Sequence, residues 1–377
     1  MGLNFKISFD SIEGFIKINK TFKDEIKEKI ISNVSINKFS KKIGITSVAI
    51  GDFLNDEKSF IRISNFIKIL KLLKISTKSA EKQIIGFKDA NRTTNFKIKF
   101  PYIFSPSDLR IIGVLIGDGN VRNDRVMLRW IQNDTTPLKK LLSSKIQGYH
   151  FSNRETNQLI IPSFFGKITC SLLNLKGDEI DTYKLIEKVI DYPKEYRLAL
   201  LISLIEDEGN IDPKNYSGIS IRMSDKKIVY FIKLLCESLG YETSKITKYK
   251  NNRYSFGEGN VMYKLKILSE GIFNLGYDLI KFEKKFGKEN SLWKKRKNFF
   301  KRWEICAGKK SRKDKEGREI HQKISELFKK NKELSINEIS KNLNVKRIRI
   351  EWHIKNMYKR KEIERTGRGI YISKLLR

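Results

Sequence analysis

The sequence has very few cysteine and histidine residues, and their spacing excludes several classes of protein. The three cysteines, Cys170, Cys236 and Cys306, stand far apart and form no CxxC pair. This pattern argues against a disulfide framework or a zinc cluster and fits a reducing compartment. The three histidines show no metal-ligand spacing. Histidine-dependent nuclease chemistry is therefore not expected.

Long apolar segments are also missing. No run of 18 uncharged apolar residues occurs, and no signal peptide opens the chain. We therefore expect a cytoplasmic, nucleoid-associated protein of a prokaryotic-type cell, with no membrane partner. A P-loop and a dinucleotide-binding fingerprint are absent too, and no small-molecule substrate is expected.

Acidic residues are scarce relative to basic ones. The chain has 77 Lys and Arg residues against 43 Asp and Glu residues, a formal net charge of +34. Such an excess predicts a polyanionic partner, either DNA or structured RNA. A generally basic, Lys-rich proteome is the plain alternative. At 377 residues and 40% hydrophobic residues, the chain is long enough for two to four domains.

Two similar nine-residue segments stand in the middle of the chain. Ile111–Gly119 reads IIGVLIGDG and Leu201–Gly209 reads LISLIEDEG, so each is an apolar run that ends in an acidic residue and a glycine. Asp118 and Glu208 occupy matching positions. A carboxylate that closes a buried run needs a partner, and two of them at matching positions predict a shared cation site. Mg²⁺ suits such an oxygen-rich site.

The residues that follow the two segments also resemble each other. Alternating apolar and polar positions predict strands at Arg125–Trp130 and Ile219–Ser224. Each strand leads to an aspartate and an amphipathic helix. The polar faces of these strands carry the expected DNA contacts Arg125, Arg129 and Arg222.

The two segments, their spacing of 90 residues (208 − 118) and the strand–helix sequel resemble the LAGLIDADG homing endonucleases in their single-chain, two-repeat form. The resemblance covers about residues 101–300. It implies a duplicated αββαββα core with pseudo-twofold symmetry. It also implies cleavage of double-stranded DNA by metal-assisted phosphodiester hydrolysis, with Mg²⁺ as the cofactor and Mn²⁺ as a substitute.

The same resemblance implies the catalytic residues. Asp118 and Glu208 are the expected metal ligands, with Asp207 as the alternative to Glu208 in the second repeat. Lys284 is the expected basic catalytic residue of the second repeat. For the first repeat, the candidates are Lys184 and Lys188.

The N-terminal region resembles the helix-turn-helix of phage-repressor-like proteins. One helix begins near Ser35 and stops at Gly44, and a second begins at Thr46 or Ser47. The second helix of such a motif places its N-terminal residues in the major groove. Ser47 is therefore a candidate DNA contact. An ordinary helical bundle is the alternative.

Residues 318–377 resemble a winged helix. Ser335 starts a helix that Asn344 ends, a further helix follows, and two short strands flank Gly367-Arg368-Gly369. The expected DNA contacts are Lys346, Arg347 and Arg349 on the helix that follows Asn344, and Arg368 at the tip of the wing.

Together these features predict an α+β protein in which the duplicated core lies between an all-α helix-turn-helix domain and a winged-helix domain. The expected boundaries are 1–95, 101–190, 191–306, a linker at 307–317, and 318–377. The expected function is a site-specific, Mg²⁺-dependent DNA endonuclease that acts as a monomer. The alternative is a sequence-specific transcription regulator that keeps this scaffold without cutting DNA.

Overall fold

The computed structural model describes residues 5–89, 95–114, 116, 119–122, 127–131, 134–149, 158–173, 182–212, 218–250, 261–331 and 333–373. The chain divides into two compact units, an N-terminal unit of Met1–Arg302 and a C-terminal unit of Trp303–Arg377. Both contain helices and sheets, so the predicted α+β class is confirmed. Within the described ranges, every helix is too short or too polar to span a bilayer.

The first part of the N-terminal unit combines short helices with a small sheet. Its elements are β1 (Lys6–Ile7), β2 (Phe15–Ile18), α1 (Lys20–Ile31), α2 (Ile36–Ile43), α3 (Ser47–Asn55), β3 (Ile61–Arg62), α4 (Ile63–Leu72), α5 (Thr77–Glu81) and β4 (Ile84–Lys88). Strands β3, β2 and β4 form an antiparallel sheet in that order. The all-α prediction for this region is therefore wrong. Alternate burial of Ile16 and Ile18 along β2 is the period-2 signal that marks a strand.

The predicted helix boundaries on either side of Gly44 are confirmed. The Ser35 hydroxyl caps α2, and Gly44 ends it in the left-handed conformation, with φ of 66°. The Thr46 hydroxyl accepts from the backbone N of Ala49 at 3.2 Å. Thr46, rather than Ser47, is therefore the N-cap of α3.

The first central segment has the elements β5 (Tyr102–Ile103), α6 (Pro106–Gly113), β6 (Gly119–Arg122), β7 (Met127–Ile131), α7 (Thr136–Lys145), β8 (Gln158–Ile161), α8 (Ser163–Leu173) and α9 (Thr182–Ile190). Strands β6, β7 and β8 form an antiparallel sheet. The start of α6 is capped by side chains: the Asp108 carboxylate accepts from the backbone N and hydroxyl of Ser105 at 2.7 and 2.9 Å.

The second central segment follows the same order of helix, strands and helix. Its elements are α10 (Lys194–Glu208), β9 (Gly209–Asn210), β10 (Ile219–Met223), α11 (Lys226–Ser238), β11 (Thr247–Lys250), β12 (Val261–Ile267) and α12 (Ser269–Phe286). The sheet order is β11-β12-β10-β9, and every described pairing is antiparallel.

Helices α6 and α10 pack closely against each other. A Cβ atom on Gly113 would lie 2.5 Å from the Cβ of Ser203, so only glycine fits this crossing. The Ser203 hydroxyl donates to the carbonyl of Arg110 at 2.8 Å. Helix α6 ends at Gly113, within the first of the two similar segments. Each glycine in a helix costs about 1 kcal/mol relative to alanine, and the first segment carries two before Asp118.

The C-terminal unit consists of most of a long helix, two shorter helices and a three-stranded sheet. After α13 (Arg296–Lys330) come β13 (Glu333–Ser335), α14 (Ile336–Leu343), α15 (Arg347–Lys359), β14 (Ile363–Gly367) and β15 (Ile370–Ser373). The sheet order is β13-β15-β14. Residues 307–317, the expected linker, lie within α13. The predicted helix start at Ser335 is confirmed by a capping box with Glu338.

His353 lies in the core of the C-terminal unit, 4% exposed. Burial lowers its pKa, and the charges of His321 and Arg349 lower it further. As the pH falls, this histidine is therefore protonated in the unfolded chain, where its pKa is about 6.5, before it is protonated in the folded chain. The stability that this group contributes is complete above about pH 6.5 and is lost as the pH falls through the folded pKa.

We therefore expect the urea concentration at the unfolding midpoint of the C-terminal unit to be lower at pH 5 than at pH 7. In a His353→Phe variant this decrease should be smaller. Fluorescence-monitored urea titrations of the full chain at several pH values measure this. An equal fall in the parent and the variant would assign the pH dependence to other groups.

Candidate nucleic-acid interface

Three cations share one face of the second sheet. Arg222 of β10 pairs with Lys264 of β12, and Ser220 pairs with Lys266. Because directly paired residues of an antiparallel ladder point to the same side, Arg222, Lys264 and Lys266 lie together; we call them the basic face. The other side of β10 carries Ile219 and Ile221, both fully buried. The alternation predicted for this strand is therefore confirmed.

The electrostatics of the basic face reflect this crowding. Burial lowers the pKa of Lys264, and the neighbouring charges of Lys266 and Arg222 lower it further. An anion that binds between the cations relieves this repulsion, so its binding is favourable. Arg222 is exposed, and its guanidinium carbon lies 6.0 Å from the ring centre of Tyr249 on β11.

Spaced cations on a twisted sheet can bind successive phosphates of a nucleic-acid backbone. Among the described residues that share this side of the sheet, none is acidic. Polar and aromatic side chains accompany the cations, including Thr247 and Tyr249. Of the three cations of the basic face, only Arg222 is an expected DNA contact from the sequence. Lys264 and Lys266 could have been found from the period-2 pattern of Val261–Ile267, which places both on one side of the strand.

The other expected DNA contacts differ in their exposure and in whether they form ion pairs. Ser47, the first residue of α3, is half-buried. On α15, Arg347 pairs with Glu351 and Arg349 pairs with Glu316, each at 2.8 Å. Lys346 is exposed at the start of α15, and Arg368 is exposed between β14 and β15. Arg129 lies in β7, where it pairs with Asn120 and Ile160.

Arg125 and Asp118 lie outside the described residues. Glu208 is the half-buried last residue of α10, and Lys284 is exposed in the last turn of α12. Lys184 and Lys188 lie on α9. The structure therefore leaves the catalytic and metal-binding roles of these residues as predictions.

The end of α10 is occupied by groups of the protein itself. The Glu206 carboxylate accepts from the backbone N atoms of Trp293 and Lys294 at 2.8 and 3.1 Å. The Lys295 ammonium donates to the carbonyls of Ile205 and Asp207 at 3.1 and 3.0 Å. A lysine thus compensates the negative end of the helix dipole, so these oxygens fit a metal ion poorly.

A buried arginine explains why acidic residues close this apolar helix. Arg110 of α6 is fully buried; it donates to the Ser203 hydroxyl at 2.9 Å and to the Ser291 carbonyl at 3.3 Å. Its guanidinium carbon lies 3.9 Å from the ring centre of Trp293. Burial lowers the pKa of Arg110 to about 10, although the charges of Glu206 and Asp207 oppose this shift.

Comparison with known proteins does not support the predicted family. The sequence matches no protein-family model and no curated protein. Among solved structures, the chain is similar to the crystal structure of full-length DUF199/WhiA from Thermatoga maritima. The identity is 12%, the similarity covers 69% of this chain and 93% of that chain, and the TM-score is 0.31.

Membership of the LAGLIDADG homing endonuclease family, expected from the two segments, is therefore wrong: the matched structure is a DUF199/WhiA protein. The start of the first segment lies in α6 and most of the second lies in α10, and these helices pack together. Glu206 of the second segment has a structural use. In α10, Glu206 binds backbone amides and its charge, with that of Asp207, faces a buried arginine.

Proposed function

We propose that this chain is a sequence-specific DNA-binding protein of the transcription-regulator type, which binds duplex DNA without cutting it. The observation that carries the proposal is the basic face. Its three cations stand on one side of one sheet, repel each other, and have no acidic neighbour among the described residues of that side. A polyanion relieves this repulsion, and the net charge of +34 extends the attraction to the whole chain.

Sequence specificity requires elements that enter a groove, and the chain has two candidates. Helix α3 follows α2 after a tight glycine turn, and α15 follows α14 after a tight asparagine turn. In a helix-turn-helix protein, the second helix contacts base edges through its N-terminal residues. We assign this role to α3 and, in a winged-helix arrangement with β14 and β15, to α15.

The absence of cutting is proposed from the chemistry at the end of α10. Glu206 and the carbonyls of Ile205 and Asp207 already bind protein donors. A divalent ion placed there would be repelled by the Lys295 ammonium. The proposal also requires that Asp118 and Glu208, the metal ligands expected from the sequence, do not support Mg²⁺-dependent cleavage.

The proposal is tested by selecting bound molecules from a randomised duplex DNA library and from a matched structured RNA library. The full chain is used, with an excess of non-specific DNA as competitor. We expect one duplex motif to be enriched and to bind at least about 10³-fold more tightly than non-specific DNA. Enrichment of RNA, or of no motif at all, would contradict the proposal.

A further inference from the structure

The two helix-turn-helix elements are copies of one pattern at a spacing of 300 residues (336 − 36). Helices α2 and α14 have the same length. Serine caps both: Ser35 accepts from the third backbone amide of α2 at 3.4 Å, and Ser335 does so in α14 at 3.2 Å. Both helices end in a left-handed residue, Gly44 with φ of 66° and Asn344 with φ of 49°.

The correspondence continues through the second helix of each element. SINKFSKKIGITSVAIGDFLN (35–55) aligns with SINEISKNLNVKRIRIEWHIK (335–355) without a gap. Four positions are buried in both copies, and they pair Phe39 with Ile339, Ile50 with Ile350, Phe53 with His353, and Leu54 with Ile354. Each element therefore packs through the same side and presents the same opposite side to solvent.

One apolar position is exposed in both copies. Val48 is 70% exposed and Ile348 is 76% exposed, and each is the second residue of its helix, α3 or α15. Both are β-branched residues, and the residues two positions later, Ile50 and Ile350, are fully buried. A large apolar side chain at the same exposed place in both copies indicates a common binding partner.

The charges around these positions identify that partner as DNA. No acidic residue occurs from Ile31 to Gly51, and Lys38, Lys41 and Lys42 of α2 are all exposed. In the second copy, Arg347 and Arg349 lie on either side of Ile348 in the sequence; both are exposed, and they form ion pairs with Glu351 and Glu316. An apolar group flanked by cations fits the major groove, where thymine presents a 5-methyl group between two rows of phosphates.

We propose that Val48 and Ile348 are equivalent base-reading residues, each of which contacts the 5-methyl group of a thymine in the major groove. The DNA target therefore contains two thymine-dependent positions, one under each helix-turn-helix. This inference rests on the proposed function, since it requires that the chain binds duplex DNA.

The experiment removes single methyl groups from the DNA. Each thymine of the selected duplex is replaced in turn by deoxyuridine, which lacks only the 5-methyl group. We expect at least two replacements to weaken binding about four-fold each, the value for one buried methylene-sized group. In a Val48→Ala variant one of these sensitivities should disappear, and in Ile348→Ala the other should.

Two variants serve as controls, because they remove exposed apolar side chains elsewhere. Ile31 at the end of α1 is 58% exposed, and Tyr358 on α15 is 51% exposed. Ile31→Ala and Tyr358→Ala should keep both deoxyuridine sensitivities. All four substitutions lie at exposed positions, so circular dichroism spectra should match that of the parent.

The inference is overturned if no thymine is sensitive, or if Val48→Ala and Ile348→Ala keep the parent's pattern of sensitivity. Unchanged DNA binding in both variants would assign these side chains to a protein partner instead. If no duplex motif can be selected in the first place, the proposed function fails. Specific binding without methyl sensitivity rejects only the base-reading roles.

Discussion

Simultaneous replacement of Arg222, Lys264 and Lys266 by alanine should weaken DNA binding on the order of 10²-fold at 0.1 M salt. Each phosphate contact contributes about 0.9 to the slope of log affinity against log salt concentration, so three lost contacts should reduce that slope by about three. The physical reason is that the three cations share one side of the sheet. Fluorescence anisotropy titrations at several salt concentrations measure both quantities.

A matched variant separates this local effect from the loss of net charge. Lys281, Lys288 and Lys297 are exposed residues of the N-terminal unit that lie outside the sheet. Their triple replacement by alanine removes the same charge and should change the slope by less than one. Equal losses in the two triple variants would show that binding depends on total charge and not on the basic face.

Replacement of Arg110 by methionine should lower the free energy of unfolding of the N-terminal unit by about 3 kcal/mol, since loss of a buried cation leaves its polar partners unpaired. The Ser291 carbonyl loses a donor, and Trp293 loses the guanidinium that lies over its ring. Glu206, 6% exposed, loses a nearby positive charge. Urea unfolding of the full chain, followed by circular dichroism, measures the loss.

The double variant Arg110→Met/Glu206→Gln tests whether charge is the cause. The glutamine keeps the size of the side chain and one acceptor for the amides of Trp293 and Lys294. If Arg110→Met destabilises the protein because it leaves the negative charge of Glu206 uncompensated, the double variant should be more stable than the sum of the two single effects predicts. An Arg110→Met variant as stable as the parent would show that Arg110 does not stabilise the N-terminal unit.

The features that the sequence predicted correctly depend on neighbouring residues. Gly44 and Asn344 end helices in the left-handed conformation, and Ser335 caps α14 together with Glu338. The alternating pattern of Ile219–Met223 likewise places Arg222 on the solvent side. Each depends on the chemistry of a few adjacent positions, so a single sequence is enough to identify it.

The features that the sequence did not predict depend on residues far apart in the chain. Arg110 and Glu206 are 96 positions apart (206 − 110), and only the packing of α6 on α10 brings their charges together. The sequence alone therefore does not show that Glu206 faces a buried cation. Lys295 likewise binds the end of a helix about 90 residues before it. The repeat of Ser35–Asn55 at Ser335–Lys355, in contrast, was available from comparing the sequence with itself.

The most direct test of the account is to follow binding and cleavage of one selected duplex in the same sample. The full chain is incubated with the end-labelled duplex in Mg²⁺, Mn²⁺ or EDTA, and each mixture is run on a native gel and on a denaturing gel. The account predicts a specific shifted band that survives EDTA, with both strands intact under every condition. New strand ends that require Mg²⁺ or Mn²⁺, and that disappear in a Glu208→Gln variant, would contradict it.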